Sequence, residues 1–316
     1  MNRRKVSVIT VHYNAPAMTR RLLRSLQQIE GDYEVIVVDN GSAPVHSARL
    51  WADEFPQVRF VYSDENLGFA GGNALALPHA QGRYLFFLNN DAFPDSQTIS
   101  RLVQFLDGHP RAGAVSPLIL ARGQNGRPAQ VLYAGKTALH PLTGRNRTLR
   151  RGTTAWHLWQ DPFRTAYVHG AAMMVRREVI DQVGFMDERF FLYYEELDWA
   201  ERMRSVGWEL WVEPRAHVWH DESYTIGPQS GLKVFFQTRN RWYFMWRNRP
   251  TWAFAAFAAW FFAVVIPKQW LAFARKGYGV QRRAVIDALR WVLGSQANRR
   301  RIDARWKAAA SNGVNV

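Results

Sequence analysis

Polar side chains that can bind or react follow each of the first four predicted strands. Asp39 comes directly after the second strand and Asp91 shortly after the fourth, so carboxylates stand at two of the strand ends. The predicted strands are residues 6–11, 34–38, 58–62 and 84–88, and the polar clusters are residues 12–14, 39–42, 64–73 and 89–91. Because the carboxyl ends of parallel strands meet at one edge of a sheet, where open α/β sheets bind ligands, we expect the four clusters to form one site.

Asp39 is the first candidate binding residue. It stands between an apolar run and a Gly41-Ser42 turn, and its carboxylate could accept hydrogen bonds from a ribose or from the edge of a base. The alternative is a structural role, because Asp before Gly commonly forms an Asx-turn or caps a helix. Taken by itself, the residue favours that structural role.

Three glycines within five residues, Gly68, Gly71 and Gly72, characterise the third cluster. Glycine lets the backbone approach a ligand closely and leaves amides free for a phosphate. The order G-x-x-G-G matches neither the dinucleotide-binding fingerprint nor the P-loop. An ordinary strand-to-helix turn explains the local pattern as well as a ligand loop does.

Asp91 is the candidate metal ligand. Oxygen ligands suit Mg²⁺ or Mn²⁺, and one or two carboxylates plus substrate phosphates form a usual Mg²⁺ site. The alternative is a cap before Pro94. His217 and His220 come later in the chain, but on a strand they would face opposite sides, so they do not form a paired zinc site. A single histidine such as His220 is more often structural than a metal ligand.

Two adjacent carboxylates, Glu195 and Glu196, are the candidate general bases. They follow the aromatic and apolar residues 190–194, and apolar surroundings raise the pKa of a carboxyl group and make it a better base. Acids at the start of a helix are also favoured by the helix dipole, which is the structural alternative. Asp198 is expected to form a structural ion pair with Arg202 at i,i+4.

The elements that position these residues indicate an α/β protein. Strand-like and helix-like segments alternate through the first half, with helical spacing at 18–28 and near 96–106, which predicts a mostly parallel sheet flanked by helices. Residues 121–161 predict a long loop or a small insertion, and helices return at 195–206 and dominate from residue 231. The 316 residues, 47% hydrophobic and 21% charged, predict one large or two smaller globular domains. Cysteine is absent, which excludes disulfides, thiolate zinc sites and cysteine nucleophiles.

Positive charge is concentrated in the last quarter of the chain. From Arg239 onward there are 15 Lys or Arg and two acids, so this segment carries most of the net charge of +15. It also contains the uncharged apolar run 252–266, about 22 Å long as a helix and therefore shorter than the roughly 30 Å hydrocarbon core of a bilayer. Pro267 and Lys268 interrupt the apolar run before residues 270–274.

The aromatic and basic composition of this segment predicts a membrane surface as its partner. Trp and Phe beside Arg and Lys are typical of a segment that lies in the headgroup region of an anionic membrane. A buried core helix is the alternative. Nucleic acid is an unlikely partner, because the aromatic residues are not interleaved with the basic ones as a stacking groove requires.

The combination and order of six motifs resembles a known family. Over about residues 6–248 the chain is similar to the family 2 glycosyltransferases of the GT-A fold, and within them to the rhamnosyltransferase-like branch. The motifs are VHYN, VIVVDNGS, ENLGFAGGN, FLNNDA, GAAMMVRREVIDQVGFMDERFFLYYEELDWAERMRSVGW and HVWHDES.

The resemblance implies a reaction and a donor site. Members transfer a sugar from a nucleoside diphosphate donor to an acceptor hydroxyl, with inversion at the anomeric carbon. Asp39 matches the acid that holds the nucleoside, and residues 66–73 match the loop beside the donor. The predicted donor-binding residues are His12, Asn14, Asp39, Asn66, Gly68, Asn73 and Asn90.

The resemblance also implies a metal site and a base. Asp91 with Asn89 matches the metal-binding motif usually written Asp-x-Asp; its first position is Asn here, so one carboxylate must hold the Mg²⁺ or Mn²⁺. His220 matches a histidine that completes the metal site in some members. Glu196 falls where the family usually has the Asp of a Glu-Asp pair, the catalytic base. This chain has Glu-Glu, so the base is Glu196 or Glu195.

These observations predict a membrane-associated, metal-dependent, inverting glycosyltransferase that extends a lipid-linked or cell-surface glycan, with dTDP-L-rhamnose as donor. The alternatives are a UDP-hexose donor with the same mechanism, a catalytically inactive nucleotide-sugar-binding scaffold, and a nucleic-acid-binding protein driven by the basic tail. The aromatic residues 190–194 either shape the sugar pocket or belong to the core.

The predicted organisation is a catalytic domain at residues 1–248 followed by a helical, basic and aromatic tail at 249–316. The basic residues 1–5 are followed by an apolar run that breaks at His12, which is too short and too polar for a secretory signal. We therefore expect a cytoplasmic protein whose tail attaches it peripherally to the inner face of the cell membrane.

Overall fold

The structure is a computed structural model that describes residues 5–123, 128–221 and 230–311. Residues 1–4 of the predicted basic N-terminus, Glu222 and Ser223 of the last motif, and residues 312–316 of the predicted tail lie outside these ranges.

Within the described ranges the chain forms ten strands and ten α-helices. The strands are β1 (Val6–His12), β2 (Tyr33–Asn40), β3 (Val58–Ser63), β4 (Tyr84–Leu88), β5 (Ala92–Pro94), β6 (Ala112–Ala121), β7 (Gln130–Tyr133), β8 (Phe163–Arg164), β9 (Ala172–Arg176) and β10 (Glu209–His220). The helices are α1 (Pro16–Leu26), α2 (Gly68–Ala76), α3 (Thr98–Gly108), α4 (Arg177–Val183), α5 (Glu195–Ser205), α6 (Gly231–Asn248), α7 (Thr251–Trp260), α8 (Ile266–Arg275), α9 (Gly279–Leu293) and α10 (Gln296–Ser311).

The first four strands lie where the sequence predicts them. β1 and β2 are runs of Val and Ile that are buried on both faces, as expected of a sheet covered by helices on both sides. Helix α1 begins at Pro16, which suits the first turn because its missing N–H has no partner there in any case. Its buried Met18, Leu22 and Leu26 recur at helical spacing and face the sheet.

All ten strands join one sheet, which is parallel in its first half and mixed beyond it. The order along the sheet is β3-β2-β1-β4-β9-β6-β10-β5, with β7 beside β6 and β8 beside β10. The predicted parallel arrangement is confirmed for β3, β2, β1 and β4. Strand β9 runs antiparallel between β4 and β6, so the sheet as a whole is mixed.

The sheet separates two hydrophobic cores. Val8 and Val37 belong to the core that contains α1 and α3, and Ile9 and Ile36 belong to the core on the other face, with α2, α5 and α6. Because successive side chains on a strand point to opposite faces, the two polar residues that end β2 are also separated, Asp39 toward α1 and Asn40 toward α2.

The stretch predicted as a loop or small insertion is largely irregular. In its described part, after β6 ends, residues 122–161 contain β7 and one short 3-10 turn at Trp156–Leu158. Backbone hydrogen bonds between Thr137 and Arg147 and between His140 and Arg145 fold residues 136–148 into a compact loop.

The C-terminal helices pack on α6 and are not a detached tail. Phe235 of α6 stacks on Trp306 of α10 with ring centroids 4.9 Å apart, and Arg239 forms an ion pair with Asp303 at 2.5 Å. Trp242 of α6 contacts the aromatic rings of α7 and of the turn that follows it. The division between residues 248 and 249 stays a prediction.

The apolar run is longer as a helix than the sequence suggests. α7, a π-helical turn (Phe261–Val265) and α8 continue one another from Thr251 to Arg275, so the helix runs through Pro267, where the apolar run stops in the sequence. The widened π turn precedes the proline, whose ring and missing N–H disturb regular α-helical bonding. Within the described ranges this is the one helix that length and composition would allow to cross a membrane. In its most apolar stretch of 18 residues, 22% is buried.

Candidate active site

The four polar clusters meet at the carboxyl edge of the parallel strands. His12 pairs in register with Asp39 across β1 and β2. The side-chain amide of Asn40 donates to the side-chain oxygen of Asn66 at 3.1 Å, which joins the second and third clusters. The side chain of Asn90 donates to Thr19 at 3.0 Å, and Thr19 also contacts His12. The sequence prediction of one shared edge is confirmed.

Asp39 is buried and both of its carboxylate oxygens accept backbone amides. Oδ1 accepts from Ser42 at 3.2 Å and Oδ2 from Ala48 at 2.8 Å. This is the turn-forming role that the local sequence favours. The same turn holds Asn14, whose side-chain oxygen accepts the amide of Ala43 at 2.7 Å.

His12 lies beneath the edge rather than on it. Its Nδ1 contacts Thr19 Oγ1 at 2.9 Å, its ring meets Trp51 edge-on, and its Nε2 is buried without a partner in the described chain. Burial lowers the pKa of His12, although the charge of Asp39 opposes the shift, so the ring is neutral.

The glycine-rich segment is a tightly bonded turn. The amide of Leu67 donates to Asn40 at 3.0 Å, that of Gly68 to Asn66 at 2.9 Å, and that of Phe69 to the carbonyl of Phe191 at 2.7 Å. Three successive amides therefore already have protein acceptors, which favours the turn alternative over a phosphate-binding loop for this part of the segment. Further along, the side chain of Asn73 is buried and donates to the carbonyl of Phe69 at 2.9 Å.

Glycine is the one residue type that this turn tolerates at position 68. Its φ is +72°, and a Cβ there would lie 2.2 Å from the carbonyl oxygen of Phe191. Gly68 thus lets the segment before α5 approach the turn after β3, and brings the acids of α5 to the same edge.

Asp91 and His220 form the candidate metal centre. Their Oδ1 and Nε2 atoms are 3.1 Å apart, both side chains are nearly buried, and His220 Nδ1 is buried without a partner in the described chain. Asn89 is half-buried at the end of β4. One carboxylate and one imidazole fit a divalent cation whose remaining ligands are phosphates and water. No group of three or more His, Asp or Glu residues is clustered within the part of the chain that the structure describes.

The segment before the two glutamates is strained. Phe191, Tyr193 and Tyr194 have φ angles of 66°, 69° and 76°, a region that non-glycine residues rarely adopt. Asn240 of α6 holds the segment: its side-chain nitrogen lies 2.7–2.9 Å from the carbonyls of Phe190, Leu192 and Tyr193. The rings of Phe190 and Phe191 are fully buried, so these two belong to the core.

Glu195 and Glu196 begin α5 in different environments. Glu195 is buried, its Oε2 has no partner among the described residues, and burial together with the charge of Glu196 raises its pKa to about 8. Glu196 is half-buried, and its Oε1 lies 3.6 Å from Nζ of Lys136. The predicted ion pair of Asp198 with Arg202 is confirmed at 3.0 Å.

The C-terminal helix reaches the same edge. The hydroxyl of Tyr13 donates to the carbonyls of Ala310 at 2.8 Å and Ser311 at 2.7 Å. Lys307 of α10 lies 5.2 Å above the ring of Phe191. The end of α10 is thus part of the site's wall.

Four residues that contribute to the site were not singled out from the sequence. Asn40 and Lys136 contact predicted site residues, His169 stacks edge-on near His220 with ring centroids 6.4 Å apart, and Asn240 holds the strained segment. Asn40 lies beside Asp39, so its cluster gave a signal. The other three lie far along the chain from the residues that they contact.

Comparison with known proteins identifies the family. The sequence model described as "Glycosyl transferase family 2" matches residues 7–184, more than half of the chain. The chain belongs to glycosyl transferase family 2. The match ends before α5, so it does not include the two glutamates.

The relatives of this glycosyltransferase are named for different activities. It is 25% identical to an N-acetylglucosaminyl-diphospho-decaprenol L-rhamnosyltransferase of Mycobacterium tuberculosis over 264 residues, covering 78% of this chain and 85% of the relative. It is also 25% identical to the galactofuranosyltransferase GlfT1 of Mycolicibacterium smegmatis over 310 residues, covering 93% of this chain and 96% of the relative.

A solved structure supports the fold. The mannosyltransferase PcManGT of Pyrobaculum calidifontis, in complex with GDP-Man and Mn²⁺, superimposes with a TM-score of 0.53 at 18% identity, covering 99% of this chain and 87% of that one. The predicted GT-A fold, with its helical C-terminal region, is confirmed.

Proposed function

We propose that this glycosyltransferase transfers a sugar, with inversion and with the help of a divalent metal, from a nucleoside diphosphate donor to a hydroxyl of a lipid-linked or cell-surface glycan. The observation that carries the proposal is that His169 links the two pairs of site residues in a family 2 chain. Its ring lies 6.4 Å from that of His220, the partner of Asp91, and it is near Lys136, the partner of Glu196. The product is a longer cell-envelope polysaccharide.

Glu196 is the proposed base. Its side chain contacts the ammonium group of Lys136, whereas Glu195, whose pKa is raised to about 8 by burial, is mostly protonated at neutral pH. Glu196 accepts the proton of the acceptor hydroxyl as that oxygen attacks the anomeric carbon. The new bond forms on the face opposite the leaving nucleoside diphosphate, so the anomer inverts without a covalent enzyme intermediate.

Asp91 and His220 are the proposed ligands of Mg²⁺ or Mn²⁺, with Asn89 beside them. A divalent cation held there supplies positive charge that offsets the charge developing on the diphosphate. The buried, unpartnered Nδ1 of His220 and the 3.1 Å contact with Asp91 support this assignment. The Mn²⁺ in the complex of the structural relative agrees with it.

The proposed donor is dTDP-L-rhamnose, held at the edge that carries the predicted donor-binding residues, with His12 buried beneath it. The rhamnosyltransferase relative supports this donor, and the lipid diphosphate sugar in its name supports a lipid-linked acceptor. A UDP-hexose with the same mechanism is the second candidate, because the galactofuranosyltransferase relative matches nearly the whole chain.

The helix from Thr251 to Arg275 is the proposed contact with the inner face of the membrane. One side of it packs on Trp242 of α6, and Trp270 and Leu271 remain exposed on the other side. A helix that packs lengthwise on the body is arranged to lie in the headgroup region rather than to cross the bilayer.

A donor panel tests the proposal. Purified protein with Mg²⁺ or Mn²⁺ is assayed for binding, hydrolysis and transfer with dTDP-rhamnose, UDP-glucose, UDP-galactose, UDP-GlcNAc and GDP-mannose. Glu196→Gln and Asp91→Ala are compared with Glu30→Gln, an exposed acid before β2. We expect metal-dependent release of one nucleoside diphosphate, lowered about 10²–10⁴-fold by Glu196→Gln and unchanged by Glu30→Gln.

Two other outcomes have distinct meanings. Binding of a donor without turnover, even with a lipid diphosphate sugar as acceptor, would favour an inactive nucleotide-sugar-binding protein. If no donor binds in the presence of metal, the proposal is refuted.

A further inference from the structure

Two arginines without a carboxylate partner in the described ranges lie near Tyr194, the residue that precedes the two glutamates. Arg241 of α6 is 8% exposed, its Nη2 donates to the carbonyl of Thr143, and its Nε is buried without a partner. Arg145 lies nearby on the loop 136–148, and burial and the charge of Arg145 both lower the pKa of Arg241. In the described ranges neither guanidinium forms an ion pair; Arg145 is exposed to solvent, whereas the buried Arg241 has no carboxylate to offset its charge.

Both arginines contact one ring of the apolar helix. The guanidinium carbon of Arg241 lies 4.9 Å, and that of Arg145 5.5 Å, from the ring centroid of Trp260 at the end of α7. Cation–π contacts of this kind orient the two cations but do not neutralise them.

The loop 136–148 links the base to the arginines. Lys136 at its start contacts Glu196 at 3.6 Å, and Arg145 lies toward its far end. The charges of Arg241, Glu196 and Arg145 all act on Tyr194, the residue immediately before the two glutamates. The cation pair and the proposed base therefore share Tyr194 as a neighbour, and the cation pair adjoins the apolar helix.

We propose that Arg145 and Arg241, with Trp260, bind the diphosphate of a lipid-linked acceptor, whose isoprenoid chain lies along the exposed apolar side chains of the helix from Thr251 to Arg275. The inference rests on the proposed function and names the acceptor's chemical class. An uncompensated, largely buried guanidinium requires an anion, and paired arginines suit phosphate oxygens. Phe262, Val264 and Leu271 remain exposed on the same helix and offer the apolar surface that an isoprenoid chain needs.

Binding of farnesyl diphosphate tests the proposal without requiring turnover. Its affinity is measured by calorimetry for the full chain and for Arg145→Ala, Arg145→Lys and Arg147→Ala. Arg147 is the matched control, because it is exposed on the same loop and its side chain forms no ion pair in the described ranges. Farnesol and inorganic pyrophosphate are measured in parallel, and dTDP and UDP are added as competitors.

We expect Arg145→Ala to weaken farnesyl diphosphate binding about tenfold, Arg145→Lys to retain most of the affinity, and Arg147→Ala to have no effect. Equal affinity of Arg145→Ala and Arg147→Ala would overturn the proposal. Pyrophosphate that binds as tightly as farnesyl diphosphate, or nucleotides that displace it competitively, would assign the arginines to a free or donor diphosphate instead. Binding of the donor to the same preparation is measured separately. Absence of donor binding would contradict the proposed function and not this site.

Discussion

Asn240 comes more than 40 residues after the proposed base, Glu196, and is predicted to hold that base in place. Its buried side-chain nitrogen, which has two hydrogens, contacts three carbonyls of the segment before α5 at 2.7–2.9 Å. Asn240→Ala leaves these carbonyls without that donor, at a cost of about 2–4 kcal/mol in the free energy of unfolding. Three positive φ angles in that segment, each costing about 1–3 kcal/mol, then relax and move Glu196.

A displacement of about 1 Å at the base lowers kcat by about 10²-fold, so Asn240→Ala should lose activity far beyond its loss of stability. The measurement is urea unfolding together with kcat under saturating donor and acceptor. Asn248→Ala is the control: it is on the same helix and removes hydrogen bonds to Asp198 and Phe244 without touching the strained segment. A folded Asn240→Ala protein with the kcat of the Asn248→Ala protein would refute the reasoning.

Three further predictions concern the turn, the buried acid and the apolar helix. Gly68→Ala should destabilise the protein and weaken nucleotide binding, measured by thermal unfolding and nucleotide titration, because the new Cβ would lie 2.2 Å from the carbonyl of Phe191. Wild-type stability should fall as the pH rises from 4.5 toward 8, because the folded state keeps the proton of Glu195 that the unfolded chain releases. The slope should be at most about 1.4 kcal/mol per pH unit. Urea unfolding across pH 5–9 measures it, and the slope should be smaller in Glu195→Gln. Trp270→Ser should reduce sedimentation with phosphatidylglycerol vesicles several-fold with little change in melting temperature. Leu50→Ser, which alters a still more exposed apolar side chain outside the helix from Thr251 to Arg275, should bind vesicles like wild type.

The residues with local signals could be placed from the sequence. The first strands are runs of β-branched residues, which are typical of buried parallel strands, and their ends necessarily share an edge. The pairing of Asp198 with Arg202 follows from helical spacing alone. Asp39 in its turn is also a local feature, since Gly and Ser follow it.

The contacts that complete the site could not be placed in this way. Lys136 comes from a stretch whose composition indicates only a loop, and Asn240 comes from a helix with no local reason to contact residues 190–193. The glycine-rich segment shows the same limit. Its glycines suggest backbone amides that are free to bind a phosphate, but the amide of Leu67 donates to Asn40 and that of Phe69 donates to Phe191. Each of these depends on tertiary packing between elements that are distant in the sequence.

The hydrogen bonds from Tyr13 to Ala310 and Ser311 join the first strand's loop to the last described helix. On the ribosome, β1 is made first and α10 about 300 residues later. The proposed nucleotide-binding edge therefore lacks part of its wall until α10 has been made. A product that ends before α10 would lack this wall and also the buried Trp306, which belongs to the core that contains α6.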